Sequence, residues 1–121
     1  MNTTDTKTAA HWLDILPALP LAKGVPVMHL HFAREYTALH HGPNGWACHD
    51  GGRASSPFPE ADLRVDLYDP QGFGYALRYA CQHCDPAISY LWPSMASRWM
   101  RGETTDTDRL ALAQAIAEVM A

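Results

Sequence analysis

Beyond a short helical stripe near its amino end, this chain changes the period of its hydrophobic pattern once, and that change limits the folds open to it. From Val27 to Tyr68 apolar residues tend to alternate with polar ones, most cleanly in Leu63-Arg64-Val65-Asp66-Leu67-Tyr68, whereas from Phe73 onward they recur three and four residues apart. A period of two belongs to a half-buried strand and a period near 3.6 to an amphipathic helix. Strands followed by helices, with no βαβ alternation, predict an α+β fold: a small antiparallel sheet of about three strands packed against N-terminal and C-terminal helices. A chain of 121 residues, 47% of them hydrophobic, is expected to form a single compact domain over residues 1–121.

The boundaries follow from local chemistry. Ala9, Trp12, Leu13 and Leu16 share a helical stripe that Pro17 stops, so a short helix is expected over residues 6–16. Val27 to Phe32 reads as a strand with Met28, Leu30 and Phe32 on one face and Val27, His29 and His31 on the other. The turn cluster Gly42-Pro43-Asn44-Gly45 suggests a hairpin with arms at residues 35–41 and 46–49, although residues 33–39 also suit one or two helical turns. After the strand at 63–68, Asp69-Pro70-Gln71-Gly72 turns the chain into a helix over 73–84 carrying Phe73, Leu77, Ala80, Cys81 and Cys84 on its apolar face. Gly72-x-Gly74 reads as part of that turn rather than a dinucleotide site, since it lacks the third glycine and the acidic residue beyond. Asp85-Pro86 starts a further helix, in which the stripe Ile88, Leu91, Trp92, Met95 and Trp99 is broken near Trp92 by Pro93. Gly102 ends it, and one of Thr105, Asp106 or Thr107 caps a last helix through Leu110, Ala113, Ile116, Ala117 and Met120.

Nine basic and thirteen acidic side chains give a formal charge of −4, and no lysine or arginine run is present. Direct nucleic-acid binding, which is driven by phosphate neutralisation, is not expected. The amino terminus is polar, and no stretch approaches the roughly 18 apolar residues of a membrane span. Three cysteines, an odd number, suit a reducing compartment, and the expected location is cytoplasmic.

The cysteines raise the question of a metal. Cys81 and Cys84 lie one helical turn apart, and Cys48 with His49 as fourth ligand would complete a tetrahedral Cys3His zinc site; His83, His40 and His31 are alternatives to His49. The competing reading is that the thiols fill an apolar stripe, as cysteines commonly do. Beyond zinc no cofactor is expected. A second pattern, His29-x-His31-x3-Glu35-x6-Gly42, is similar to the first metal-binding motif of the cupin family. That resemblance implies a metalloenzyme in which His29, His31 and Glu35 hold Fe, Mn, Zn or Ni inside a β-barrel, whereas the region after Phe73 has the period of helices. Adjacent His40 and His41 lack the downstream partners of a ββα-metal nuclease, and there is no Gly-x-Ser-x-Gly elbow for a serine hydrolase. Asp62 and Asp66 share one side of their strand and read as a solvated face.

Aromatic and arginine side chains concentrate between residues 75 and 101. These are the residue types enriched at interface hot spots, and Arg78, Tyr79, Tyr90, Trp99 and Arg101 are the candidate contact residues. With no complete catalytic constellation, the expectation is a small non-enzymatic protein-binding domain. It would serve as an adaptor or inhibitor that occludes a surface of a larger complex, as phage- or plasmid-encoded anti-CRISPR and anti-restriction proteins do.

Overall fold

In the computed structural model, which describes residues 11–84 and 86–120, the chain runs through α1 (Trp12–Ile15), β1 (Pro26–His29), β2 (Arg34–Gly42), β3 (Gly45–His49), β4 (Leu63–Val65), α2 (Pro70–His83), α3 (Trp92–Met100) and α4 (Asp106–Met120), with 3-10 turns at Glu60–Asp62 and Pro86–Leu91. The architecture is α+β, with one antiparallel sheet of four strands in the order β3-β2-β1-β4. The chain divides into two compact units: Ala18–Ala76, holding the sheet and the first half of α2, and a helical unit of Leu77–Ala121 with the residues up to Pro17.

Within the sheet unit, β1 is central and pairs with both β2 and β4, with Val27 opposite Tyr36 on one side and Val65 on the other. Its four residues are all buried. One face carries the core: Val27, Leu63, Val65, Ala38, Trp46 and Cys48 are each almost inaccessible to solvent. The sheet has one strand more than expected because residues 34–39, which also suit helical turns, extend as part of β2, while the stretch read as a strand over 27–32 stops at His29. The His29 Nδ1 accepts the N–H groups of His31 and Phe32, the Ala33 N–H returns to the His29 carbonyl, and Ala33 takes a left-handed conformation with φ of 50°. The chain therefore reverses, and residues 34–42 form β2. The expected shared strand face of His29 and His31 is not formed: His29 ends the strand, and His31 is exposed in the turn.

The β2–β3 hairpin turns through Pro43 and Asn44, with Gly42 opposite Gly45 and an irregularity between Ala38 and His40. Gly45 has a φ of 119°, and a Cβ there would stand 2.0 Å from the Phe58 carbonyl oxygen, so both conformation and space require glycine. The outer edge of β3 is closed by the loop that follows: Trp46 and Phe58 exchange N–H and C=O groups, and Ser55 bonds to both the carbonyl and, through its hydroxyl, the amide of Cys48.

β4 ends at Val65, earlier than the alternation to Tyr68 predicts. Asp66 still donates its N–H to the Pro26 carbonyl, and its carboxylate turns the chain away after it, Oδ1 accepting the Tyr68 N–H at 2.9 Å. Helix α2 then begins at Pro70 rather than Phe73. Asp69 caps it, its Oδ1 accepting the Gln71 N–H at 2.8 Å, with proline at the first helical position. Gly72 is thus helical and not part of a turn. A Cβ at Gly72 would lie 2.0 Å from the Asp66 carbonyl oxygen, so its missing side chain is what lets the helix start against the end of β4.

In the helical unit, α1 packs on α4 with Trp12 buried. The part of the expected 6–16 helix before residue 11 lies outside the described residues, as does the Asp85 cap. The break near Trp92 is present: a 3-10 turn to Leu91 gives way to α3, with proline in its first turn. Gly102, at φ of 72°, follows its end, and the Glu103 N–H closes on the Arg98 carbonyl. The cap of α4 is Thr105, whose Oγ1 accepts the Asp108 N–H while Asp108 accepts the Thr105 N–H, a reciprocal arrangement. Arg98 grips the same carboxylate through two bonds of 2.6 and 2.9 Å and holds the Asp108 carboxyl below the usual carboxylate range. The buried stripe of α4 is Asp108, Leu112, Ala115 and Ile116 with Ala113; Leu110 is only half-buried and Met120 is exposed, contrary to the predicted register.

Candidate functional site: an acidic cleft beside the sheet

Register places one row of side chains across the sheet on the face opposite Val27. Pro26 stands opposite Thr37, Thr37 opposite His49, and Asp66 joins the row through its N–H bond to the Pro26 carbonyl. The adjacent row is Arg64, Met28 and Glu35. Of these, Pro26, Glu35, Thr37, His49 and Asp66 line a cleft of about 340 Å³, completed by Tyr36, by Asp50 and Gly51 after β3 and by the helix-capping Asp69. Four carboxylates, Glu35, Asp50, Asp66 and Asp69, thus face one small volume with a single imidazole, His49.

The carboxylates are not equivalent. Arg34 neutralises Asp50 at 2.6 Å from the rim, and the Gly51 N–H donates to the His49 Nδ1 at 3.2 Å, which fixes the ring. Asp66 is 2% exposed and is pushed up to about 6, first by burial, then by the negative charge of Glu35 and Asp69 and by its hydrogen bond with the Glu35 carboxyl, against the lowering effect of the Tyr68 N–H. Two carboxyl groups in contact can share a hydrogen bond only while one holds a proton. Once Asp66 ionises, its charge adds to those of the exposed Glu35 and the half-buried Asp69 on the cleft wall, and a cation placed among them relieves the repulsion. The expectation that Asp66 faces solvent is therefore overturned. Strand parity put it correctly on the face opposite Leu63 and Val65, but parity does not reveal which face is covered.

The predicted metal ligands are placed as follows. Cys48 is fully buried in β3, its thiol directed to the Trp46 carbonyl at 3.7 Å, and burial pushes that thiol up to about 11. His49 is its neighbour in sequence but lies on the opposite face, toward the cleft. Cys84 is half-buried just past α2 and donates to the Ala115 carbonyl at 3.7 Å; burial, then Cys81, raises its thiol. Cys81 is exposed, a correction to its place on the apolar stripe with Leu77 and Ala80. Among the described residues, no three His, Cys, Asp or Glu side chains are grouped so as to hold a metal ion. The cupin resemblance does not extend to the fold, since the sheet is open with edges at β3 and β4. Nor does it extend to the ligand geometry. His29 stands opposite Arg34, so Glu35 projects from the other face, and the His29 Nδ1 is already occupied by two amides.

No family model, curated protein or solved structure matches this chain. The candidate contact residues all fall in the helical unit. Arg78 is exposed and Tyr79 half-buried with its ring 4.3 Å from His83; Tyr90 is 72% exposed; Trp99 is half-buried; Arg101 is exposed and bonded to Glu103 and Ser97. Of the cleft, the sequence reading singled out His49 and Glu35 for other reasons and missed Asp50, Asp66 and Asp69. The Asp69-Pro70 pair carried the same helix-start signal as Asp85-Pro86 and would have located one wall.

Proposed function

We propose that this chain is a non-enzymatic protein-binding domain, an adaptor or inhibitor, that receives a basic side chain of a larger protein partner in the acidic cleft. The observation that carries the reading is the buried Asp66 carboxyl lining the cleft together with Glu35, Asp50 and Asp69. A guanidinium supplies planar paired donors to such carboxylates and removes the like-charge cost of ionising them. The volume of about 340 Å³ suits one side chain rather than an extended ligand. In this reading Arg78, Tyr79, Tyr90, Trp99 and Arg101 of the helical unit are contact residues as well. Phosphate is repelled by the cleft, which favours a protein over a nucleic acid as partner. Three free thiols fit a reducing compartment such as the cytoplasm; among the described residues no helix is long and apolar enough to cross a membrane.

The test is an NMR titration with N-acetyl-arginine amide and with its uncharged citrulline analogue. Binding predicts amide shifts at Glu35, Thr37, His49, Asp50, Asp66 and Asp69 for arginine only, abolished in Glu35→Gln. Equal shifts with citrulline, or none with arginine at millimolar concentration, would remove the proposal.

A further inference from the structure

The β1–β2 connection uses a titratable side chain as a backbone cap. His29 is 3% exposed, and its Nδ1 accepts the N–H groups of His31 at 3.1 Å and Phe32 at 3.3 Å. The imidazole lies flat on Phe32, with centroids 4.0 Å apart and planes 15° from parallel, and meets Phe58 edge-on at 4.6 Å. Phe32 itself is 57% exposed, held against the sheet by this stack and by the left-handed Ala33 that follows. An acceptor at Nδ1 requires the neutral ring with its proton on Nε2. Imidazolium has two donors and no acceptor, so no rotation of the charged ring restores either cap.

We propose that the β1–β2 turn is an acid-released latch: a proton taken from solvent by the His29 Nδ1 breaks both amide caps and frees the turn that carries Phe32, while β1 stays paired within the sheet. The charged and titratable groups facing His29 are few. Asp62, from the 3-10 turn before β4, favours the charged ring; His31, in the turn itself, opposes it; Arg34, opposite on β2, is engaged by Asp50; Leu63 on β4 and Phe58 in the loop bring no charge. Burial outweighs the Asp62 effect and moves His29 below the ordinary histidine value of 6.5. The caps are therefore intact at neutral pH and are lost as the pH falls. The consequence is an aromatic side chain, Phe32, presented in two states by a transition on the acid side of the ordinary histidine value.

Amide hydrogen exchange read by NMR at about pH 7 and about pH 5, expressed as protection relative to the unstructured chain, tests the latch in the native sequence and in His29→Asn. The asparagine Oδ1 reaches the position of Nδ1 and accepts without titrating. Protection at His31 and Phe32 should fall by up to about tenfold for each pH unit as the pH drops from the ordinary histidine value of 6.5 toward the lowered His29 midpoint in the native chain, and level off below it. It should stay level at Val27 and Met28, and at all four positions in the variant. Native protection that does not change with pH, the same fall in His29→Asn, or an equal loss at Val27 and Met28 would each overturn the proposal. Should the variant not fold, the ring 15N shifts of the native His29 decide: an unprotonated Nδ1 that gains its proton in step with the loss of protection supports the latch, and a proton on Nδ1 at neutral pH refutes it.

Discussion

Replacing Asp66 by Asn isolates the cost of the carboxyl pair in the cleft. Asparagine keeps an oxygen for the Tyr68 N–H, and its amide takes over the donor role toward Glu35 that the protonated acid fills. The Asp66 carboxyl rises from its ordinary 3.8 to about 6 on folding, a difference that corresponds to about 3 kcal/mol at full ionisation. Its sign follows from proton counting. Between these two values the folded chain binds more protons than the unfolded one, so the contribution of Asp66 is fully present below about pH 4 and is lost as the pH rises through about 6. The Asn variant carries no such loss. It should match the native chain near pH 4 and exceed it by about 1–3 kcal/mol near pH 7.5, the lower part of that range allowing for solvent relaxation around the native pair. Denaturant titrations followed by tryptophan fluorescence at several pH values measure the difference directly, and titrations common to both proteins cancel. A variant less stable than the native chain at neutral pH, or a difference that does not change with pH, would refute the burial and charge argument.

Two further outcomes are expected. Gly72→Ala should destabilise by roughly 1–3 kcal/mol or more, because the added Cβ meets backbone rather than a movable side chain, outweighing the ~1 kcal/mol that alanine gains over glycine within a helix; an unchanged denaturation midpoint would show that the helix start can shift. Arg78→Ala and Tyr79→Ala should weaken capture of a protein partner while leaving thermal stability within about 0.5 kcal/mol, as expected for side chains off the buried stripe. Pull-downs unaffected by both changes would remove the proposal that Arg78 and Tyr79 contact a partner.

The parts of the fold legible in the sequence are those where one residue acts on its own backbone. Pro93 breaks the helix near Trp92, Gly102 follows the end of α3, and Thr105 was among three candidates for the α4 cap. The fold class was readable for a related reason, since the hydrophobic period is a local property. What escaped is set by partners distant in sequence or by side chains acting out of type. The early end of β1 depends on a histidine behaving as an Asx-like cap, a role for which its residue type gives no signal. The burial of Asp66 depends on what covers its face of the sheet, and Cys81 missed the apolar stripe by one step of helical phase. The cleft combines side chains from β1, β2, the end of β3 and the start of α2, and no spacing in the sequence encodes that convergence.

The closed edge of β3 bears on how this chain behaves in a crowd. An open strand edge invites a second molecule to add its own strand, the usual beginning of ordered aggregation. Here the backbone groups of Trp46 and Cys48 that would make the invitation are already engaged by Ser55 and Phe58. The covering segment offers no replacement, because Phe58 spends both its groups inward and is flanked by Pro57 and Pro59, which have no N–H to donate. The opposite edge, β4, is three residues long with Arg64 at its centre. A sheet ended by prolines on one side and by a short charged strand on the other is protected against edge-to-edge polymerisation, so the protein can be brought to high concentration without condensing on itself.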